Sequence, residues 1–212
     1  MTGQTFVTEK VRYMDETNVG IIILAAGAST RLGEPKQLLT FQNKTLISRA
    51  VETSINSKCV NTAVILGANV ETIKKEIEDF PINICTNENW KTGMASSIKC
   101  GLDLLLSEQK KLNAVLILLC DQPFIESKHI NQLLKTFEQT NKDIVATEYK
   151  NTIGVPALFS SKLFDKLLKL EGDKGARQII KTNPDLLQTI PIPEAEFDID
   201  TVEDYQKLIN ST

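Results

Sequence analysis

The sequence lacks the long apolar run that a membrane-spanning helix requires. Its longest apolar runs, Ile21 to Ala26 and Ala114 to Cys120, are far shorter than the ~20 residues that cross a bilayer. Residues 1–19 are polar and contain no hydrophobic segment of the kind that forms the centre of a signal peptide. We therefore expect a cytoplasmic protein that neither spans a membrane nor carries a secretion signal.

Cysteine and histidine are scarce. The four cysteines form no C-x-x-C pair and have no group of histidines beside them, which argues against a zinc or redox site. Cys100 and Cys120 lie among aliphatic residues, so we expect buried, reduced thiols. The single histidine, His129, falls in the polar opening of a predicted helix and is expected to be solvated. No Ser/His/Asp or Cys/His nucleophile can be assembled from it.

An excess of charge of either sign is also missing. The chain has 24 Lys and Arg against 27 Asp and Glu, a formal net charge of -3. No whole-chain basic field is present for nucleic acid or for an anionic membrane, so any anion must be bound locally. With 42% hydrophobic and 24% charged residues, the composition is that of a globular protein able to bury roughly 70% of its unfolded surface.

Short β-branched runs alternate with amphipathic stretches along the chain. This alternation predicts an α/β fold with a mostly parallel sheet. The predicted strands are Ile21–Ala25, Thr62–Leu66, Ile82–Cys85, Val115–Cys120 and Ile144–Thr147, and the predicted helices are Thr45–Ile55, Val70–Glu78, Met94–Leu106 and Lys128–Glu138. Residues 1–19 are expected to form a loosely ordered extension, and residues 20–212 one domain with a less regular C-terminal third.

A turn of small residues follows the first predicted strand. The segment from Leu24 to Lys36 reads L-A-A-G-A-S-T-R-L-G-E-P-K. Its backbone N–H groups would be exposed at the carboxyl edge of the sheet, where an open α/β sheet binds its ligand. Gly27 lets the chain approach a phosphate closely, and Arg31 and Lys36 can supply cationic donors. The spacing matches neither a P-loop nor G-x-G-x-x-G, and on spacing alone a purely structural turn stays open.

Acidic residues follow the other strongly apolar strand and precede the last helix. Asp121 would point out of the same edge of the sheet as the glycine loop. A carboxylate beside bound phosphates is suited to hold Mg²⁺. Asp198 and Asp200 could bring a second carboxylate to the same ion. The alternative role is a helix cap, Asp121 for the helix near Ser127 and Asp200 or Thr201 for the last helix.

Three motifs together resemble the nucleotidyltransferases that act on molybdopterin. They are L-A-A-G-x-S-x-R-x-G-x-x-K from Leu24, C-D-Q-P from Cys120 and D-I-D-T-x-E-D-Y from Asp198. The resemblance extends from about Ile21 to Ile209. It is strongest to the molybdenum cofactor cytidylyltransferases, because the guanylyltransferase branch looks like L-A-G-G at the first motif. Further matching segments are Asn87–Ser97, Gly154–Phe159 and Gly172–Arg177.

The resemblance implies a single-domain, Rossmann-like three-layer α/β/α fold. It also implies transfer of CMP from CTP to the terminal phosphate of molybdopterin, with release of pyrophosphate. By motif position, Arg31, Lys36 and Asp121 would be catalytic, and Asp121 and Asp200 would hold Mg²⁺. The nucleotide would be bound by Leu24, Ala25, Ala26, Gly27, Ala28, Ser29, Arg31, Lys36, Asn87, Gly93, Ser96 and Ser97. The acceptor would be bound by Gly154, Pro156, Asp173 and Arg177. A molybdoenzyme of the xanthine dehydrogenase type would receive the product.

The acceptor segment departs from the family pattern. The family often has Gly-His-Pro where this chain has Gly154-Val155-Pro156, so a histidine role is absent and the acceptor can differ. Asp173 and Arg177 can also be a helix cap and a surface ion pair, and Trp90 is expected to pack rather than to stack on a base. The remaining alternatives are a guanylyltransferase, a cytidylyltransferase for a sugar or polyol phosphate, and a carrier of the cofactor that performs no chemistry.

Overall fold

The computed structural model of the chain describes residues 18–108 and 111–210, so most of the expected extension, residues 1–17, lies outside them. The strands are β1 (Val19–Leu24), β2 (Thr40–Phe41), β3 (Lys44–Thr45), β4 (Asn61–Leu66), β5 (Asn83–Thr86), β6 (Ala114–Leu119), β7 (Ile144–Tyr149), β8 (Thr152–Ser160) and β9 (Leu187–Pro191). The α-helices are α1 (Leu46–Ile55), α2 (Val70–Lys75), α3 (Met94–Glu108), α4 (Ser127–Gln139), α5 (Phe164–Leu168), α6 (Ala176–Thr182) and α7 (Val202–Asn210). No helix in this part of the chain is long and apolar enough to span a membrane.

The described strands other than β2 and β3 form one sheet in the order β5-β4-β1-β6-β8-β7-β9. β1 pairs in parallel with β4 and β6, β4 with β5, and β7 with β9, whereas β8 runs antiparallel to both of its neighbours. Side chains of β1 alternate between two cores. Ile21 and Ile23 pack with α1, α2 and α4, and Ile22 and Leu24 pack with α3, α5 and α6. This arrangement confirms the three-layer α/β/α fold with a mostly parallel sheet.

The C-terminal third is more regular than the sequence pattern predicts. It contains β8, β9, α5 and α6, which the pattern does not predict. The sequence pattern does not predict β8 because the strand contains Gly154 and Pro156, and both residue types usually interrupt a strand. In the structure the β7–β8 register shifts between Ala146 and Thr147, so Val155 and Pro156 have no partner on β7 and form a bulge. The other predicted strands and helices occur with their ends displaced by a few residues.

Two expectations about the scarce residues are wrong. Cys100 is not a reduced thiol, because the packing of α3 against β5 brings it to Cys85 and the two form a disulfide. Sequence spacing alone does not pair these residues, since they lie on different elements. His129 is buried rather than solvated: its Nδ1 accepts a hydrogen bond from the Glu126 N–H at 3.1 Å, and burial lowers its pKa. Cys120 is buried and free, as expected.

Candidate active site

The loops that follow β1 and β6 open side by side at one edge of the sheet. β1 and β6 are parallel neighbours, and their last residues, Leu24 and Leu119, face each other in the register. The glycine loop after β1 and the acidic segment after β6 therefore leave the sheet together. Between them and the loops at residues 90–97 and 172–177 lies a cleft of about 700 Å³. A cleft of this size can hold a nucleotide or a cofactor.

The glycine loop is held in shape by Gln37, a residue that the sequence analysis does not single out. Its side chain is buried, and its Nε2 donates to the carbonyl oxygens of Ala25 at 2.8 Å and Gly27 at 2.9 Å. Ser29, with a φ of 53°, accepts a hydrogen bond on its Oγ from the Lys36 N–H at 3.1 Å. A Cβ added to Gly27 would meet no atom within 4 Å, so this residue faces open space in the cleft. The position of Gln37 beside Lys36 is the signal that could have found it.

Lys36 is the centre of a charged cluster in the cleft. Its Nζ donates to Asp121 Oδ2, to Asp200 Oδ1 at 3.0 Å and to the Ile199 carbonyl at 3.2 Å. Arg31 Nη2 donates to Asp200 Oδ2 at 2.9 Å. Burial works against the charge on Lys36, but the two carboxylates outweigh burial and raise the pKa of this ammonium group. Partial burial likewise opposes the charge on Asp200, but Lys36 and Arg31 lower the pKa of this carboxyl.

Neither Asp121 nor Asp200 is a helix cap. The N-cap residue of α4 is Glu126. α7 follows Thr201, whose Oγ1 accepts a hydrogen bond from the Asp204 N–H at 3.2 Å in the pattern of an N-cap. Both carboxylates instead line the cleft. The structure therefore rules out the capping role that the sequence left open for these two residues.

A small third core fixes the acidic segment before α7. Phe124 packs edge-on against Phe41 and Phe197, with ring centroids 5.7 and 5.4 Å away. Ile199 is fully buried in this core, and its N–H donates to the Asp121 carbonyl at 3.1 Å. The burial of Ile199 and this hydrogen bond together hold the two segments that carry the carboxylates next to each other.

One carboxylate oxygen of the cluster has no hydrogen-bond partner. Asp121 is 8% exposed, and its Oδ1 is buried with no hydrogen-bond partner. An unpaired buried acceptor of this kind fits a hard divalent cation, which prefers carboxylate oxygens. Burial, followed by the charges of Asp121 and Asp200, raises the pKa of the neighbouring Asp198. In residues 18–108 and 111–210, no group of three or more His, Cys, Asp or Glu side chains could hold a metal ion. A cation here would need phosphate oxygens and water as further ligands.

Two loops form the opposite wall of the cleft, and glycines let them meet. Gly93 has a φ of 113°, and a Cβ there would lie 2.3 Å from the carbonyl group of Gly172. The Ala95 N–H donates to the same carbonyl at 3.1 Å. Trp90 lines the cleft and packs against Gly67, where a Cβ would lie 2.7 Å from the Trp90 side chain. Packing is therefore one role of Trp90, as expected.

Asn87 braces the first of these loops from behind. It is buried, and its Nδ2 donates to Ser96 Oγ at 2.8 Å and to Ser97 Oγ at 3.0 Å. Its Oδ1 accepts from the Asn89 N–H at 3.0 Å. These hydrogen bonds hold the loop against the start of α3. A direct contact between Asn87 and a nucleotide stays a prediction.

Asp173 lies in the second loop and Arg177 in the first turn of α6, which follows that loop, and both residues line the cleft. Arg177 Nη2 donates to the Tyr149 hydroxyl at 2.7 Å. A Cβ on Gly154 would lie 2.8 Å from that hydroxyl and 3.0 Å from Arg177 Nε, so Gly154 makes room for the pair. The N-cap residue of α6 is Gly175, which means that Asp173 is not the cap.

The structure brings most of the predicted site residues to this one cleft. Those that line it are Leu24, Ala26, Gly27, Arg31, Lys36, Gly93, Ser97, Asp121, Asp173, Arg177 and Asp200. The predicted residues outside its lining are Ala25, Ala28, Ser29, Asn87, Ser96, Gly154 and Pro156. Gly154 and Asn87 shape the walls, as described above, and the binding roles of all these residues stay predictions.

Known proteins are similar to this chain over almost its whole length. Nicotine blue oxidoreductase of Paenarthrobacter nicotinovorans is 29% identical over 197 residues, which cover 89% of this chain and 95% of that protein. The purine catabolism protein PucB of Bacillus subtilis (strain 168) is 26% identical over 198 residues, which cover 87% of this chain and 92% of PucB. The crystal structure of Rv0371c from Mycobacterium tuberculosis H37Rv shares the fold, with a TM-score of 0.79 and 22% identity over 92% of this chain and 100% of that one. Rv0371c has also been crystallised in complex with manganese.

A known protein family matches most of the chain. The matched stretch, residues 21–188, runs from β1 into β9 and is described as a MobA-like NTP transferase domain. It contains the glycine loop, Asp121 and both loops of the opposite wall, while Asp200 and α7 lie beyond it. Because the match covers well over half of the sequence, this chain belongs to the family of MobA-like NTP transferase domains.

Proposed function

We propose that this protein transfers CMP from CTP to the terminal phosphate of molybdopterin and releases pyrophosphate. The observation that carries the proposal is the cleft, where a glycine-containing turn, two cationic side chains and two carboxylates meet at one edge of the sheet. Transfer between phosphates depends on positioning and charge neutralisation rather than on a covalent nucleophile. The chain supplies that set of groups, in a family named for NTP transfer.

The residues act by holding the triphosphate and neutralising its charge. An oxygen of the acceptor phosphate attacks the α-phosphorus of CTP in line, the bond from that phosphorus to the β-phosphate oxygen breaks, and pyrophosphate leaves. Gly27 and the N–H groups beside it hold the triphosphate. Arg31 balances the charge of the outer phosphates, and Lys36 stabilises the charge that develops near the α-phosphate. Gln37 fixes the backbone of the loop before the nucleotide arrives, so the loop itself keeps its shape during the reaction.

Asp121 and Asp200 are the proposed ligands of a divalent cation. The open Oδ1 of Asp121 supports this role, as does the position of both carboxylates in the cleft. When bound, Mg²⁺ supplies charge neutralisation on the phosphate oxygens as a Lewis acid. Ile199 fixes the spacing of the two carboxylates through its hydrogen bond to the Asp121 carbonyl.

The glycine loop supports CTP as the nucleotide. The guanylyltransferase branch looks like L-A-G-G at this loop, whereas this chain has Ala26 at the position of the first glycine of that pattern. Ala26 lines the cleft. The L-A-A-G form of this loop resembles that of the CTP users, which supports CTP over GTP. On the opposite wall, Asp173 and Arg177 are the proposed acceptor contacts, with the apolar Val155 in place of the histidine of the family pattern.

The product would pass to a molybdoenzyme of the xanthine dehydrogenase type. One relative carries a name that refers to purine catabolism. Because xanthine is itself a purine, this name supports a client enzyme of this class.

The experiment that tests the proposal compares four nucleotides with and without the acceptor. Purified protein is incubated with Mg²⁺, molybdenum-loaded molybdopterin and CTP, GTP, ATP or UTP, and pyrophosphate release and product mass are measured. We expect release, and a cytosine dinucleotide product, only with CTP and acceptor together. A preference for GTP would overturn the choice of nucleotide. No release with any nucleotide, although molybdopterin binds, would identify a carrier and overturn the proposed chemistry.

A further inference from the structure

The carboxylates assigned to a cation are already paired with the chain's own cations. Lys36 donates to Asp121 Oδ2 and Asp200 Oδ1, and Arg31 donates to Asp200 Oδ2. Three of the four carboxylate oxygens therefore have a cationic partner, while Asp121 Oδ1 is buried without one. The Ile199 carbonyl also accepts from Lys36 at 3.2 Å, so the ammonium group is held between the two acids rather than beside one of them.

A divalent cation has to compete with this ammonium group for the same oxygens. The Lys36 side chain is 17% exposed, and repulsion between like charges is strong where water is largely excluded. Within the described residues, no group of three or more His, Cys, Asp or Glu side chains could hold a metal ion. Between them, Asp121 and Asp200 therefore offer a dication one oxygen without a hydrogen-bond partner and an adjacent positive charge.

We propose that Lys36 and Arg31 keep the cation site closed until a triphosphate draws them away, so that the divalent cation binds together with the nucleotide. The inference rests on the proposed function, because a nucleotide must enter this cleft. Lys36 has a flexible four-carbon stem, and phosphate oxygens offer both cations new charged partners. When the two side chains turn to the triphosphate, the oxygens of Asp121 and Asp200 become free for the dication.

This exchange gives Lys36 two successive partners. Without substrate it neutralises the buried carboxylate of Asp121 and the half-buried carboxylate of Asp200, which keeps the site from trapping a free dication. With the triphosphate bound it neutralises phosphate charge, as proposed above. The species that binds in the cleft is then the complex of cation and nucleotide. Removal of Lys36 has opposite effects on the two ligands: it strengthens binding of the cation alone and weakens binding of the nucleotide.

Binding of Mn²⁺ in the absence of any nucleotide tests the inference, with the free ion counted by electron paramagnetic resonance. We expect weak binding to the wild-type protein. Lys36→Met should bind Mn²⁺ roughly 10- to 1000-fold more tightly, the range by which one neighbouring charge shifts the ionisation of a partner. Arg31→Met should have a smaller effect, because the Arg31 side chain is 71% exposed and contacts only Asp200 of the two acids.

Lys91→Met is the matched control, since it removes the same charge from the lining of the same cleft without touching either carboxylate. It should leave Mn²⁺ affinity unchanged. Thermal unfolding shows whether Lys36→Met is folded. If it is not, Lys36→Gln, which keeps a hydrogen-bond donor but removes the charge, is measured in its place. Tight Mn²⁺ binding by the wild type, or no gain in a folded Lys36 variant, would overturn the inference. These experiments contain no nucleotide, so they give a result even if CTP is not the substrate.

Discussion

Replacement of Gln37 by methionine should loosen the glycine loop without creating a cavity. Methionine has a similar volume but no donor, so the carbonyl oxygens of Ala25 and Gly27 lose their hydrogen bonds at 2.8 and 2.9 Å. Ala25 is buried, so its carbonyl would stay unpaired at a cost of about 1–3 kcal/mol. The Gly27 carbonyl is only partly buried, and water can replace part of its bond, which lowers its share to about 1 kcal/mol.

The variant is thus expected to lose roughly 2–4 kcal/mol of unfolding free energy. For a chain of this size that loss lowers Tm by roughly 4–16 °C. Differential scanning calorimetry measures the first effect, and isothermal titration of CTP measures the accompanying loss of nucleotide affinity. Gln132→Met, at an exposed position on α4, is the control that should change neither quantity. A Gln37 variant with wild-type Tm and wild-type CTP affinity would refute the role assigned to this side chain.

Three further predictions concern the opposite wall, the disulfide and the buried histidine. Gly93→Ala should push the two wall loops apart and raise KM more than Gly172→Ala does, because both residues have a positive φ, 113° and 61°, but only the Cβ at position 93 would meet backbone atoms, at 2.3 Å; equal effects in steady-state kinetics would contradict this. Reduction of the Cys85–Cys100 bond, which joins residues separated by 15 positions, should lower stability by about 3 kcal/mol in urea titrations, and an unchanged midpoint would be evidence against the crosslink. Since burial lowers the pKa of His129 in the folded state, the unfolded chain takes up the proton first, and stability should fall as pH drops below about 6.5. His129→Gln should weaken that pH dependence in urea unfolding between pH 7 and pH 5, and an identical slope would exclude the histidine as its source.

The sequence predicted the parts of the site that lie next to strand ends. β1 and β6 are uniformly apolar, and the residues after such strands emerge at a known edge of the sheet. That rule is enough to place Gly27, Asp121 and their neighbours at one edge of the sheet. It worked because the geometry of a parallel sheet fixes where its loops begin.

Features that depend on contacts between distant segments were not predictable in this way. Gln37 matters because two carbonyl groups happen to face its amide, and no periodicity encodes that arrangement. The approach of Gly93 to Gly172 and the bond between Cys85 and Cys100 likewise require the packing of separate elements. β8 was not predicted because proline is rare inside strands, whereas here a bulge accommodates Pro156.

The most direct test of the central claim is acceptor-dependent release of pyrophosphate from CTP by the wild type and by Asp121→Asn. The amide keeps the shape of the side chain but removes the charge at the open Oδ1 position. We predict an approximately 100-fold or greater loss of turnover, the scale on which preorganised electrostatic groups act in such sites, with a thermal unfolding curve that still shows a folded protein. Turnover that is retained in the folded Asn variant would contradict the role of Asp121 and, with it, the proposed chemistry of the cleft.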